Sequence, residues 1–221
     1  MADEQRQEDE WLALRRKMVD EQIRRRSVRD PRVLDAMTAV PREQFVPAGV
    51  RTAAHEDRAL PIGHDQTISQ PFIVAYMTEQ LSVTADARVL EIGTGTGYQT
   101  AILARLAEHV FTVDRIAALQ RQAAVNLADL KLTNITMSVG DGSLGLPEYA
   151  PYDRIIASAA APEIPAPLVD QLVDGGVLVI PVGGKTEQTL VRVVREGKRT
   201  IETPGIACRF VKLIGKEGWR V

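Results

Sequence analysis

The stretch Val89-Leu90-Glu91-Ile92-Gly93-Thr94-Gly95-Thr96-Gly97-Tyr98 decides the fold of this chain. Its first half predicts a buried strand that runs directly into a glycine turn, and the pattern after the turn predicts a helix over 98–107. Glycines let the backbone approach a ligand closely, and a helix start offers free N–H groups with a partial positive charge. The stretch therefore predicts a nucleotide-type cofactor site at the carboxyl end of a first strand.

The spacing of the glycines indicates which cofactor is bound. A dinucleotide fingerprint, Gly-x-Gly-x-x-Gly, would need a glycine at position 98, where this chain has Tyr98. Instead, Glu91 stands two residues before the first glycine, which resembles motif I of S-adenosylmethionine (SAM) methyltransferases. The next apolar run ends in Asp114, where a carboxylate is placed to accept hydrogen bonds from ribose hydroxyls.

Beyond residue 88 the chain alternates between strand and helix patterns, which predicts an α/β fold with a doubly wound, mostly parallel seven-stranded sheet. The last two predicted strands have no long helix between them and are expected to form an antiparallel edge pair. The predicted strands cover 89–93, 109–113, 135–139, 153–158, 177–182, 188–195 and 208–214, and the helices cover 98–107, 115–130 and 163–173.

The first part of the chain is predicted to be a helical extension of one single domain. Residues 1–9 are expected to be a disordered tail, 10–87 a helical and loop extension, and 88–221 the cofactor-binding core. Helices are predicted over 10–26, from Pro31 with Asp30 as its N-cap to Val40, and over 71–81. Residues 41–70 are expected to form a long irregular loop, which in a compact domain usually has a function.

Length and composition place the chain among globular proteins. It has 221 residues, 45% hydrophobic and 25% charged residues, and a net charge of −2, so no general attraction to nucleic acid or anionic membrane is expected. The arginine run 24–26 fits a solvated helix end better than a nucleic-acid patch. A single cysteine, Cys208, excludes an internal disulfide and a multi-cysteine metal site, and no metal is expected. With no apolar run of membrane-spanning length and a polar, acidic start, a cytoplasmic protein is expected.

Two further segments are candidates for ligand contact. Gly140-Asp141-Gly142 follows the third predicted strand, so Asp141 is a candidate acceptor for an exocyclic amine, although Asp-Gly also forms simple turns. The segment 60–71 contains Thr67 and Ser69 immediately before a helix. Ser69 or Gln70 could therefore cap that helix instead of contacting a ligand.

A resemblance carries the interpretation further. The segments LPIGHDQTISQP, VLEIGTGTGYQTAILA, GDG, YDRIIASAAAPEIP, DGGVLVIPVG and RFVKLIG resemble those of the protein-L-isoaspartate O-methyltransferases over about 18–219. The resemblance implies a Rossmann-like methyltransferase fold that binds SAM and releases S-adenosyl-L-homocysteine. It also implies isoaspartyl proteins and peptides as partners and a monomer, and the near-neutral net charge predicts no nucleic-acid or membrane partner.

The resemblance also assigns residues. Ser69 is implied in the active site. SAM contacts are implied at Gln66, Thr67, Ile68, Ser69, Glu91, Gly93, Thr94, Gly95, Gly97, Asp114, Arg115, Gly140, Asp141 and Gly142. Substrate contacts are implied at Pro61, Ile62, Asp65, Ala159, Ala160, Arg209, Phe210 and Val211.

Three positions depart from the usual family pattern: His55 replaces the common Tyr, Asp65 an uncharged residue, and Lys212 the usual Pro. All three fall near the expected substrate groove. They keep two alternatives open, a methyltransferase of the same fold with another carboxylate acceptor and a SAM-binding module without catalysis.

Overall fold

The architecture is seen in a computed structural model that describes residues 2–220. The α-helices in this range are α1 (Ala2–Met18), α2 (Pro31–Ala39), α3 (Pro71–Leu81), α4 (Tyr98–Ala104), α5 (Ala117–Asp129) and α6 (Ala166–Asp170), and short 3-10 and π-helical turns connect some of them. The strands are β1 (Leu60–Gly63), β2 (Gln66–Ile68), β3 (Arg88–Ile92), β4 (His109–Asp114), β5 (Ile135–Val139), β6 (Tyr152–Ala157), β7 (Leu172–Gly183), β8 (Gln188–Glu196) and β9 (Arg199–Cys208).

The main sheet has seven strands in the order β5-β4-β3-β6-β7-β8-β9. The strands β3 to β7 pair in parallel, whereas β8 and β9 pair antiparallel at one edge. Val89, Leu90 and Ile92 of β3 are almost fully buried, because helices and loops cover both faces of the sheet. The predicted doubly wound, mostly parallel sheet with an antiparallel edge pair is therefore confirmed.

The last strand lies earlier in the chain than its predicted position, 208–214. Strand β9 spans Arg199–Cys208 and follows β8 after a tight turn at Gly197, whose φ is +60°. Most of β9 is exposed on the sheet edge, so its sequence has no apolar alternation to indicate a strand. The apolar residues after 208 instead cross the end of the sheet, where Leu213 is buried.

The N-terminal residues are also more ordered than predicted. Helix α1 begins at Ala2, so residues 2–9 are helical where a disordered tail is expected, and Met1 lies outside the described residues. Glu8 accepts a hydrogen bond of 2.8 Å from the buried Arg15, and Arg6 pairs with Glu10 one helical turn away. Charge pairing along and beneath the helix thus stabilises a segment whose composition alone indicates disorder.

The helices around the cofactor region are close to their predicted bounds. Asp30 caps α2, since its side chain accepts a hydrogen bond from the Arg32 N–H, and α3 spans the predicted 71–81. Helix α6 has five residues, fewer than predicted, because Pro165 precedes it and the long strand β7 begins at Leu172. No helix within residues 2–220 is long and apolar enough to cross a membrane.

The N-terminal extension shares a hydrophobic core with the sheet. The side chains of Met37 and Phe45 pack in the same buried cluster as Tyr98 and Ile102 of α4. The rings of Phe45 and Tyr98 lie edge to face, with 5.5 Å between their centroids. Through these contacts the extension covers the carboxyl ends of β3 and β4 and forms a second wall opposite the glycine turn.

Candidate active site

The glycine turn adopts a backbone conformation that only glycine takes readily. The φ angles of Gly93, Gly95 and Gly97 are +92°, +55° and +95°. A Cβ at Gly95 would lie 3.3 Å from Ile62 Cδ1, so a side chain there would press into the opposite wall. The turn thus leaves an open space at the end of β3.

Asp114 holds this turn against the neighbouring strand. It ends β4, is 8% exposed, and its Oδ2 accepts a hydrogen bond of 2.9 Å from the Gly95 N–H. Its Oδ1 accepts a second bond of 2.9 Å from the Ile116 N–H. The carboxylate therefore joins the glycine turn to the start of α5, and each oxygen keeps a further lone pair for a ligand hydroxyl.

Glu91 lies beneath the turn and does not line the cavity. It is fully buried, and its Oε2 accepts hydrogen bonds from the Thr100 hydroxyl at 2.5 Å and the Thr112 hydroxyl at 2.7 Å. Its Oε1 has no hydrogen-bond partner among residues 2–220. Burial raises the pKa of Glu91 to about 8, against the lowering effect of the two threonines. The resemblance implies that Glu91 contacts the cofactor. In the structure it is instead buried beneath the turn and supports it.

The Gly140-Asp141-Gly142 segment contributes only its last residue to the cavity wall. The Asp141 carboxylate accepts hydrogen bonds from the Ser143 N–H at 2.9 Å and the Ser143 hydroxyl at 2.6 Å on one oxygen, and from the Lys216 N–H at 2.7 Å on the other. Although partial burial opposes the change, these bonds lower the pKa of Asp141. Asp141 thus ties the C-terminal segment to the end of β5.

A hairpin forms the opposite wall. Strands β1 and β2 pair antiparallel, and the turn between them places His64 and Asp65 at φ angles of +53° and +56°. Ser69 follows β2 directly. In the described part of the chain no side chain caps α3: Gln70 occupies the N-cap position, but its amide donates to Asp57 at 2.7 Å instead. The structure therefore does not support the capping interpretation, and Ser69 lines the cavity.

These elements enclose a cavity of about 340 Å³. Of the implied cofactor contacts, the structure brings together Gln66, Thr67, Ile68, Ser69, Gly93, Thr94, Gly95, Asp114, Arg115 and Gly142. Of the implied substrate contacts, it adds Ile62, Asp65, Ala159 and Val211. It leaves Glu91, Gly97, Gly140, Asp141, Pro61, Ala160, Arg209 and Phe210 outside the cavity wall.

Several of the residues outside the wall have another place in the fold. Gly97 packs against α5, where a Cβ would lie 3.2 Å from Leu127. Ala160 exchanges backbone hydrogen bonds of 2.8 Å with Val211 and Leu213, which docks the C-terminal segment over the end of the sheet. Arg209 lines a separate shallow depression beside β8 and β9.

Sequence reasoning does not single out several residues at this site, of which Tyr98 and Arg42 bear most on its geometry. Tyr98 lines the cavity from the first turn of α4, and Arg42 lies buried behind Ser69, with its Nη2 2.7 Å from the Ser69 carbonyl oxygen. Tyr98 is adjacent to the glycine turn, so its position is a usable signal. Nothing in the sequence distinguishes Arg42 from a surface arginine.

In the part of the chain that the structure describes, no three acidic, His or Cys side chains are grouped to hold a metal ion.

The sheet order and the cavity at the carboxyl ends of β3 and β4 define the class: an α/β protein that binds a nucleotide-type cofactor beside a glycine turn. Comparison with known proteins gives the family. The family model described as "Protein-L-isoaspartate(D-aspartate) O-methyltransferase (PCMT)" matches residues 13–218. The chain belongs to this family.

Similar proteins agree with this assignment. A protein-L-isoaspartate O-methyltransferase of Methanoregula boonei is 54% identical over 205 residues, covering 93% of this chain and 94% of the relative. One from Pelobacter propionicus is 52% identical over 206 residues, covering 91% of each. A solved protein-L-isoaspartate O-methyltransferase superposes with a TM-score of 0.84 at 27% identity, over 92% of this chain and 67% of the other. A Plasmodium falciparum structure in complex with S-adenosyl-L-homocysteine shares the fold, with a TM-score of 0.79 at 23% identity over 90% of this chain and 98% of the other.

Proposed function

We propose that this chain is an enzyme that transfers a methyl group from SAM to the free α-carboxylate of L-isoaspartyl residues in damaged proteins and peptides. Family membership over 13–218 supports this assignment. The observation that carries it is the cavity in which the glycine turn and Asp114 face the Gln66–Ser69 segment. The glycine turn with Asp114, which we call the cofactor wall, thus faces the Gln66–Ser69 segment, which we call the acceptor wall although SAM contacts are also implied there, across one half-open cavity.

The residues of the cavity fit the cofactor. Asp114 has lone pairs free to accept bonds from ribose hydroxyls, and the glycine turn leaves room beside the backbone. A Cβ at Gly142 would lie only 2.5 Å from Ile92 Cγ2, so no side chain fits there and this wall stays flat for a ring. When bound, SAM supplies an electrophilic methyl group on a sulfonium.

The acceptor needs little chemical activation. A carboxyl group with a pKa near 4 is ionised at neutral pH, so no general base is required. The work of the protein is to align the carboxylate oxygen with the methyl group and to exclude water from it. We assign the Ser69 hydroxyl the role of donating a hydrogen bond that orients the carboxylate, and no role as a nucleophile.

The acceptor side of the cavity combines apolar and charged residues. Ile62, Ala159 and Val211 provide apolar contacts, and Asp65 and Lys212 bring one charge of each sign. Lys212 would attract the carboxylate of a substrate, and Asp65 would favour a basic neighbour in the peptide. A flexible, extended peptide segment fits such a site, because the kinked isoaspartyl linkage has to enter it.

The reaction starts a repair. Methanol leaves a methyl ester far more readily than an oxygen leaves the free carboxylate, so the following backbone nitrogen attacks the ester carbonyl, displaces methanol and closes a succinimide without enzyme help. The succinimide then adds water, and part of it opens to a normal aspartyl residue.

We further propose that the protein acts as a monomer in the cytoplasm. Size-exclusion chromatography coupled to light scattering measures its mass in solution and so tests whether it is a monomer.

The test is methyl transfer from labelled SAM to two short peptides that differ only in one isoaspartyl or aspartyl linkage. We expect base-labile label on the isoaspartyl peptide alone. Equal labelling of both peptides would support a different carboxylate acceptor. SAM binding by calorimetry without any labelling would support a binding module without catalysis.

A further inference from the structure

Arg42 connects the two walls of the cavity from behind. Its Nη2 donates to the Ser69 carbonyl oxygen at 2.7 Å, and its Nε donates to the Ala54 carbonyl oxygen at 2.7 Å. Its guanidinium carbon lies 4.8 Å from the ring centroid of Tyr98. Since Ser69 and Tyr98 both line the cavity, a single side chain contacts the acceptor wall and the helix that follows the glycine turn.

The surroundings of Arg42 are unfavourable for a charge. The residue is fully buried, and burial lowers the pKa of its guanidinium. Within residues 2–220 it forms no ion pair, because the adjacent Glu43 is bound by Arg15 and His55. In the same range its Nη1 has no hydrogen-bond partner.

Such a position is costly if its only role is packing. A buried charge without a carboxylate partner is strongly unfavourable, and an apolar side chain of similar volume is often neutral or stabilising instead. An apolar residue at position 42 could not form the hydrogen bonds to the carbonyl oxygens of Ala54 and Ser69. Their result is a fixed peptide plane after Ser69.

We propose that Arg42 is a positioning residue for methyl transfer: it fixes the main chain at Ser69 and thereby the direction of the Ser69 hydroxyl in the cavity. This inference rests on the proposed function, in which Ser69 orients the acceptor carboxylate. Small misplacements of an orienting group are expensive, since about 1 Å can cost about 100-fold in rate.

The first experiment compares Arg42→Met and Arg42→Lys with a matched control, Arg195→Met. Arg195 also donates to main-chain carbonyls, those of Asp170 and Leu172, but away from the cavity. We expect kcat for the isoaspartyl peptide to fall about tenfold in Arg42→Met and less in Arg42→Lys, with SAM affinity within about twofold. Arg195→Met should keep the wild-type kcat. Unchanged kcat in both Arg42 variants, or equal losses of kcat and SAM affinity, would overturn the proposal.

A double variant asks whether Arg42 acts through Ser69. If it does, Arg42→Met combined with Ser69→Ala should be no slower than Ser69→Ala alone by more than about twofold, because residues acting as one unit are not additive. Multiplying losses would show that Arg42 acts elsewhere.

A third measurement does not depend on catalysis. Hydrogen exchange of peptides covering 66–72 should be at least about tenfold faster in the Arg42 variants than in the wild type, with exchange over 93–97 unchanged. Equal rates over 66–72 would contradict the positioning role. If the wild type does not methylate the isoaspartyl peptide, the proposed function fails, whereas the exchange data still decide whether Arg42 orders the Ser69 segment. Arg42→Lys keeps a charge and a donor, so it supplies the answer if Arg42→Met does not fold.

Discussion

The glycine turn at 93–97 and the segment around Ser69 face each other across the same cavity, yet they are held in different ways. The turn is held mainly by its own strand–helix unit and the next strand, through the Gly95 N–H bond to Asp114, and its Thr96 hydroxyl also donates to the distant Phe45 carbonyl oxygen at 2.7 Å. The Ser69 segment is held by Arg42, which is 27 residues away in the chain. The strand, glycines and terminal acid of the cofactor wall are thus visible as a local pattern, whereas the position of Arg42 behind Ser69 depends on a contact between distant segments.

The largest expected effect concerns the support beneath the cofactor wall. In Glu91→Gln the titrating carboxyl is removed. The wild-type carboxyl has an ordinary pKa of 4.5 when unfolded and about 8 when folded. Its contribution to stability is therefore complete below pH 4.5 and lost as the pH rises through 8. Relative to the variant, the wild type should lose up to about 5 kcal/mol of unfolding free energy over this window.

Urea unfolding of both proteins at several pH values from 4.5 to 8 measures this difference, with the exposed Glu163→Gln as the control. The criterion is how the stability difference between the two proteins changes with pH. The absolute stability of Glu91→Gln is not used, because burying the glutamine amide has a free-energy cost of its own. A pH-independent gap between wild type and Glu91→Gln would show that Glu91 titrates normally.

A side chain in the glycine turn should disrupt the cofactor wall. In Gly95→Val a β-branched residue would have to adopt a φ of +55° and would contact Ile62 at 3.3 Å. We expect SAM affinity to fall by at least about 100-fold, close to 3 kcal/mol. Calorimetry measures it, with Gly49→Val as the control, since a Cβ there meets no atom of residues 2–220 within 4 Å. Wild-type affinity in Gly95→Val would place the cofactor elsewhere.

Variants of Asp114 test whether SAM binding depends on both of its carboxylate oxygens. Each oxygen accepts a main-chain N–H, and asparagine offers only one such acceptor. Asp114→Asn should therefore weaken SAM binding by about 1–3 kcal/mol, and Asp114→Ala by at least as much. Calorimetric titration of the two variants beside the wild type measures this loss. An Asn variant with the wild-type dissociation constant would exclude the role.

The smallest effect is expected on the acceptor wall. Ser69→Ala removes one hydroxyl and leaves the main-chain contact to Arg42 in place. We expect kcat for the isoaspartyl peptide to fall about tenfold, with SAM affinity within about twofold. Steady-state kinetics together with calorimetry separates the two quantities. Normal turnover would reduce Ser69 to a residue of the cavity wall.

Local signals are sufficient for the elements next to the glycine turn. Four features lie near their predicted positions: strand β3, Asp114 at the end of β4, and the helices α2 and α3, which begin at prolines. Each depends on residues close in sequence: glycines with positive φ, an Asp N-cap, a buried apolar run. The resemblance to the family extends this local interpretation to Ser69.

Elements at the periphery are predicted less well, for identifiable reasons. Strand β9 is an exposed edge without apolar alternation, and residues 2–9 form a helix in which Glu8 pairs with Arg15 and Arg6 pairs with Glu10. The apolar stretch 210–214, which resembles a strand, instead closes the cavity through bonds to Ala160. Of these three elements, only the 210–214 stretch has its deciding partner far away in the chain, since β9 pairs with the neighbouring β8 and the charges of 2–9 pair within two helical turns.

The sequence by itself determined the class of fold and the cofactor wall, because a strand, a glycine turn and a terminal acid are written within a few residues of one another. Only the tertiary structure decided which implied contacts reach the cavity, that Glu91 and Asp141 serve as supports, and that Arg42 lies behind Ser69. The physical reason is that burial and hydrogen-bond partners are properties of assembled segments. An arginine carries no mark in the sequence of whether water or a distant carbonyl will accept its hydrogen bonds.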